Sequence, residues 1–87
     1  MTYTIVFDKE IGKVLKKIPK HDQTRIIEKI KTLALNPRPN KVVALQGNLA
    51  GYHRFRIGDY RVIYEIIDKK RIILIVKIAQ RGWVYDD

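Results

Sequence analysis

The side chains in this sequence best able to do chemistry are arginines, and three of them fall within one stretch, YHRFRIGDYRVIY from Tyr52 to Tyr64. Gly58-Asp59 separates two runs of alternating residues. Glycine at the first central position suits a type II′ turn, and either primed turn closes a two-residue β-hairpin. Pairing Ile57 with Tyr60 then sets Arg56 opposite Arg61, Phe55 opposite Val62 and Arg54 opposite Ile63. Side chains alternate between the faces of a strand, so Arg54, Arg56 and Arg61 share one face. Phe55, Ile57, Tyr60, Val62 and Tyr64 share the other, the core side. Like charges directly opposite across strands destabilise a sheet. Arg56 against Arg61, with Arg54 beside them, calls for an anion.

Most other kinds of chemistry lack their parts. The chain has no cysteine and no serine, and its threonines and tyrosines stand in no triad-like setting. His21 and His53 lie in unrelated places, without carboxylates at ligand spacing, so no metal site is expected. His21 reads as an exposed residue near a helix start, and His53 as structural or peripheral at a strand edge. There is no P-loop or GxGxxG sequence and no pair of carboxylates on the basic face. Glu65 has the parity to reach that face, where an ion pair with the arginines is favoured over catalysis. An arginine cluster with a nearby tyrosine still suits one reaction. RNA supplies its own nucleophile, the 2′-hydroxyl beside the scissile phosphate. The protein then has only to align it, neutralise the transition state and assist proton transfer. An aromatic ring can hold an unstacked base. On this chemistry a ribonuclease and a passive nucleic-acid binder stand equally open.

The elements that must position these residues follow from periodicity. Tyr3, Ile5 and Phe7 alternate with Thr4 and Val6, as in a strand. Ile11, Val14, Leu15 and Ile18 make the apolar stripe of a first helix, which Pro19 ends. Asp22 is placed to cap a second helix buried along Ile26, Ile27, Ile30, Leu33 and Ala34, with Asn36-Pro37 as its stop. The short break implies an antiparallel helical hairpin. Residues 37–51 read as a loop whose Val42, Val43 and Leu45 tuck under the sheet. Arg71–Gln80 is a nearly continuous apolar run and a central strand. Its register turns on Lys77. A two-residue turn at Lys69-Lys70 would send that ammonium into the core, whereas a three-residue loop, Asp68 to Lys70, sets Lys77 opposite Arg61. The three-residue loop is the one expected. Arg81 shares the parity of Lys77, and Gly82-Trp83 is expected to bend the chain. The outer face then collects Arg54, Arg56, Arg61, Lys77 and Arg81, with Ile63, Ile73 and Ile75 among them. The fold expected is α+β, in the order β-α-α-β-β-β, an antiparallel sheet with a two-helix hairpin on one face.

Composition sets the frame. Eighty-seven residues suffice for one domain, 1–87. Eighteen Lys+Arg against nine Asp+Glu give a net charge of +9, which favours a polyanionic partner, either nucleic acid or an acidic protein. Disulfides are excluded. Neither a signal peptide nor a membrane span is discernible, so a cytoplasmic protein away from membranes is expected.

Gly51–Glu65 (GYHRFRIGDYRVIYE), with Gln80-Arg81 and Val84-Tyr85, resembles the RelE/ParE toxin superfamily. The likeness covers essentially the whole chain, including KKIPK and the NPRP loop. It implies the RelE-like microbial ribonuclease fold and a toxin of a type II toxin–antitoxin pair, neutralised by a cognate antitoxin that covers the helices or the basic face. It also implies that the toxin–antitoxin complex binds its own operator DNA. RelE-like members of the superfamily enter the ribosomal A site and cut mRNA by 2′-hydroxyl attack, with no metal or other cofactor. ParE-like members instead inhibit DNA gyrase, and a degenerate toxin would act only as a co-repressor. Carried onto this sequence, the RelE-type set falls on Arg54, Arg56, Arg61, Arg81 and Tyr85. The likeness assigns Arg56, Arg61 and Arg81 to phosphate and transition-state stabilisation, Arg81 being the partner of the leaving oxygen. Tyr85 would stack on a base or shuttle a proton, and Arg54 and Lys77 would bind RNA. Arginine stands at 54 and 56 where some relatives have lysine, which shifts its pKa more readily, and this argues against a general base on that strand. Gln80 replaces a histidine that many relatives carry just before the late arginine, removing a possible acid–base group. A C-terminal helix of the kind some relatives carry is not expected after Tyr85.

Overall fold

The computed structural model describes residues 2–80. Its strands are β1 (Thr4–Phe7), β2 (Val43–Ala44), β3 (Tyr52–Ile57), β4 (Tyr60–Ile67) and β5 (Ile72–Gln80). The helices are α1 (Ile11–Lys16) and α2 (Lys20–Thr32), with single 3₁₀ turns at Gly47–Leu49 and Asp68–Lys70. The strands form one sheet in the order β1-β5-β4-β3-β2, and the α+β architecture stands as expected. β2, β3, β4 and β5 pair antiparallel, and β1 joins the far edge parallel to β5. The chain therefore leaves β1 at one edge and crosses the sheet through the two helices. Ile11, Ile18, Ile26, Ile30 and Leu33 meet Phe55, Ile57, Tyr60, Val62, Tyr64, Ile73, Ile75 and Ile78 in a single core. One face of the sheet is thereby covered.

The β3–β4 register is the expected one, residue for residue. Gly58 has φ 58°, and among the described non-glycine residues only Arg71 has positive φ. Asp59 therefore keeps negative φ, which fits a type II′ turn and not type I′. Tyr60 and Val62 are 2% and 0% exposed, so this hairpin anchors its arginines through the core on its opposite face.

The β4–β5 register departs from expectation. The connection is four residues long, with Ile67 paired to Ile72 and Arg71 in the left-handed region at φ 53°. Farther along, Tyr64 pairs with Ile75 and Ile63 with Lys77, leaving Val76 as a bulge. Lys77 thus lies opposite Ile63 rather than Arg61, yet still on the outer face. Ile73 and Ile75, expected on that face, belong to the core and are 0% exposed. The bulge reconciles these facts. Strict alternation from Ile73 through Ile75 would carry Lys77 inward, at a cost of several kcal/mol for a buried ammonium. It would also turn Ile78 outward, forfeiting about 1.5–3 kcal/mol of burial. One unpaired residue avoids both.

Other local readings also change. α2 begins at Lys20 with Pro19 before it, so Asp22 lies in the first turn and makes no cap. A carboxylate there still complements the helix dipole. Val42 packs against the core as expected, but Val43 stays 47% exposed. Glu65 faces Tyr52 and Leu74 across the strands, and among the described residues no ion pair joins it to an arginine.

Gly58 is where the hairpin should be most sensitive. A Cβ there would come within 2.7 Å of the Arg25 guanidinium, on a backbone with φ +58°. The arginine can swing aside, so the backbone conformation carries the cost. Gly58→Ala should destabilise the fold by about 1–3 kcal/mol. The measurement is a lower urea midpoint at unchanged m-value, and an unchanged midpoint would contradict the turn assignment.

Candidate nucleic-acid interface

The outer face of β3, β4 and β5 has no helix over it among the described residues. Arg56 is exposed on β3, and Arg61 is half-buried opposite it on β4. Arg54 lies two residues before Arg56, opposite Ile63, and the bulge brings Lys77 against Ile63 from the other side. Ala79 faces Arg61 and is only 4% exposed. A methyl group there leaves the long guanidinium stem room beside it. Four of the six expected site residues, Arg54, Arg56, Arg61 and Lys77, are therefore gathered on one face. Arg81 and Tyr85 lie outside the described residues, as do the Gly82-Trp83 bend and Val84.

Next to this face is a second cationic surface that periodicity did not reveal. A cavity of about 210 Å³ opens between α2 and the end of β3, lined by Arg25, Lys29, Lys41, Arg56 and Gly58. Another of about 210 Å³ is lined by Lys41, Val43, Arg54 and Arg56. Arg25 and Lys29 form an i, i+4 pair on α2 that flanks the buried stripe of Ile26 and Ile30. Nothing in the sequence says which strand they face.

The hairpin tip is fastened from the helix side. Tyr60 donates its hydroxyl to the Asp22 carboxylate at 3.1 Å. Asp22 also accepts from Arg25 at 3.5 Å and lies 3.2 Å from His21. Burial, and then the bond to Asp22, push the Tyr60 phenol above its ordinary value. At the other end of the sheet Asp68 gathers three segments. It accepts from Tyr3 at 2.6 Å and from Arg38 at 2.9 Å, while Arg71 lies 5.9 Å over the Tyr3 ring. The Arg38 bond, and then the Tyr3 bond, hold the Asp68 carboxyl below its ordinary value.

Two further titratable groups of the hairpin, Tyr64 and His53, face inward. Tyr64 is buried, donates to the Pro37 carbonyl at 2.6 Å, and is pushed up to about 12 by burial. It therefore offers no proton at neutral pH. His53 stacks on Tyr64 with ring centroids 5.7 Å apart, and its Nδ1 is buried without a hydrogen-bond partner among the described residues. His21 is exposed at the start of α2, as expected. No group of three or more His, Cys, Asp or Glu side chains among the described residues could hold a metal ion. No helix among them is long and apolar enough to cross a membrane. The arrangement can hold a polyanion on one face and stabilise charge that develops on it.

The family model described as the ParE toxin of the type II toxin–antitoxin system parDE matches residues 3–85. A putative RelE1 toxin of Methanocaldococcus jannaschii is 35% identical over 88 residues, covering 98% of this chain and 97% of that relative. Among solved structures, the archaeal RelE–RelB complex of Pyrococcus horikoshii matches with TM-score 0.82 and 36% identity, over 97% of this chain and 100% of that one. The RelBE2 complex of Mycobacterium tuberculosis matches with TM-score 0.84 and 27% identity, over 93% and 100%.

His53 supplies a pH dependence to measure. Burial, and then the Arg38 charge, lower its pKa from the ordinary 6.5, while Asp68 opposes them. The unfolded chain then binds more protons than the folded one between the two values, so stability rises with pH across that window. It is fully present above about pH 6.5 and is lost as pH falls toward the folded value. Asp68, a carboxyl held low, contributes above its unfolded value of about 3.8 and loses that only in stronger acid. Urea midpoints should therefore fall on acidification from pH 7.5 to 5.5, and His53→Gln should flatten the profile. An equally steep profile in the variant would contradict the assignment.

Proposed function

The chain belongs to the RelE/ParE superfamily of toxins from type II toxin–antitoxin systems, and from that premise we propose that it is a ribosome-dependent mRNA endonuclease. It is a toxin of the RelBE kind, with an antitoxin as its partner. The observation that carries the nuclease reading is the cationic outer face, where Arg54, Arg56 and Arg61 share a side on paired strands. A substrate that brings its own nucleophile needs little more than such a face, charged and held by a rigid sheet.

In the proposed reaction the 2′-hydroxyl attacks the adjacent phosphorus and the bond from phosphorus to the 5′-oxygen breaks. The products are a 2′,3′-cyclic phosphate and a 5′-hydroxyl end. Charge accumulates on the non-bridging oxygens in the transition state, and Arg56 and Arg61 stabilise it. Preorganised donors of this kind are each worth on the order of 10²–10³ in rate. Arg81 assists the departing 5′-oxygen, and Tyr85 stacks on a base or relays the proton. Arg54 and Lys77 hold the flanking phosphates. Arginine stays protonated at neutral pH, so its role on β3 is charge and not proton abstraction. The proposed setting is the ribosomal A site, in the cytoplasm. The antitoxin would cover these cations, neutralising charge and excluding substrate together, and the complex would bind operator DNA.

A second reading has one observation behind it, since the matching family description names a ParE toxin. A gyrase inhibitor would produce gyrase-dependent DNA cleavage complexes and leave cells with resistant gyrase unharmed. The 35% identity to a RelE relative and the basic set on the outer face favour RNA.

Expression should arrest growth and create new mRNA 5′ ends within translated codons. Arg56→Ala and Arg61→Ala should each reduce cleavage by about 10²–10³ while circular dichroism shows the fold retained. Arg81→Ala or Tyr85→Ala should likewise relieve toxicity. Growth arrest without new mRNA 5′ ends would overturn the nuclease reading.

A further inference from the structure

The two cavities beside β3 share Lys41 and Arg56, so together they form one groove from the outer face to α2. Five cations line it: Arg54 and Arg56 from β3, Lys41 from the preceding loop, and Arg25 and Lys29 from α2. No carboxylate among the described residues lines either cavity. Lys29, Lys41, Arg54 and Arg56 make no ion pair among the described residues. β2, two residues long, pairs with this edge of β3 only at His53 and Arg54. Arg25 borders the groove beside the hairpin tip. Asp22 accepts from it at 3.5 Å and is itself tied to Tyr60, and the bare Cα of Gly58 makes room for the guanidinium.

We propose that this groove is a second phosphate-binding site, which takes the backbone of single-stranded RNA as it leaves the outer face and turns toward α2. The inference rests on reading the outer face as an RNA site, and it extends that site around the sheet edge. Two observations favour phosphates over an acidic peptide. The groove is continuous with the outer face through Arg54 and Arg56, so one strand can occupy both. Of its apolar lining Phe55 and Ile57 are 7% and 4% exposed and only Val43 is open, at 47%. Cations therefore dominate the surface, and there is little apolar area for the anchors that a peptide interface depends on. A strand of phosphates needs only spaced cations. Guanidinium and ammonium groups along a groove are how single strands are bound without regard to sequence.

The test is fluorescence anisotropy with 2′-O-methylated oligouridylates, which cannot be cut, at about 4 and about 12 nucleotides, a range spanning known single-strand site sizes. Each is titrated across a series of salt concentrations with the wild-type chain and with the double variant Lys29→Ala/Lys41→Ala, which leaves Arg54, Arg56 and Arg61 intact. Each lost single-strand phosphate contact reduces the log–log salt slope by about 0.7, so two contacts should reduce it by about 1.4. That reduction is expected for the long probe only, with the short probe bound as before. Equal loss for both lengths, or no loss for either, overturns the proposal. So does failure of the wild type to bind either probe. Weaker antitoxin binding by the variant at unchanged affinity for the long probe would assign the groove to an acidic protein instead. Growth arrest without mRNA cleavage, alongside the expected slope change, would retire the endonuclease reading and leave the groove standing.

Discussion

Arg56 lies directly opposite Arg61, and the fold holds them there against their repulsion. A like-charged pair across strands costs on the order of 0.2–1 kcal/mol. On the other face of the same two strands Phe55, Ile57, Tyr60 and Val62 are buried, each contributing about 1.5–3 kcal/mol. The core decides the register and the arginines must accept it. Slipping the register by one residue to separate the charges would turn that whole apolar set to water. The tip is fixed further by the Gly58 turn and by the bond from Tyr60 to Asp22 on α2. The result is a concentrated positive charge that an anion relieves, on a frame too well anchored to relax it away.

β5 meets a similar conflict by another route. It carries core residues at 73, 75 and 78, a spacing that a regular strand cannot send to one face. The bulge at Val76 changes the parity once, so all three isoleucines face the helices and Lys77 joins the arginines. The bulge therefore shapes the candidate site as well as the strand. Bulges also increase local twist, so the outer face of β4 and β5 is twisted where Lys77 joins it.

What could be read from the residues was whatever is local. The hairpin was legible because its turn and its period-two pattern sit within thirteen consecutive residues, Tyr52–Tyr64. The placement of Lys77 on the outer face was legible too, although the argument reached it through the wrong loop length. A register set by a three-residue loop and the observed one, shifted twice by a four-residue connection and a bulge, give Lys77 the same parity. The same shifts reverse Ile73 and Ile75, which is why those two were misplaced. Arg71 in the left-handed region has no sequence signature of its own. The groove was illegible for a different reason. Arg25 and Lys29 read only as the wet side of a helix, and Lys41 as part of a loop, until packing brings α2 alongside the end of β3. Asp22 looked like a cap because its type suits one, yet its carboxylate is used across the fold by Tyr60, 38 positions away.

The central claim is that this face acts on a substrate that carries its own nucleophile. The most direct measurement uses ribosomes programmed with an mRNA in which one nucleotide, at a mapped cleavage position, has a 2′-hydrogen in place of the 2′-hydroxyl. Cleavage should disappear at that position and persist at neighbouring sites in the same message. Cleavage persisting at the deoxy position would mean that water or a protein group attacks the phosphate, and the account of the arginine face given above would be wrong.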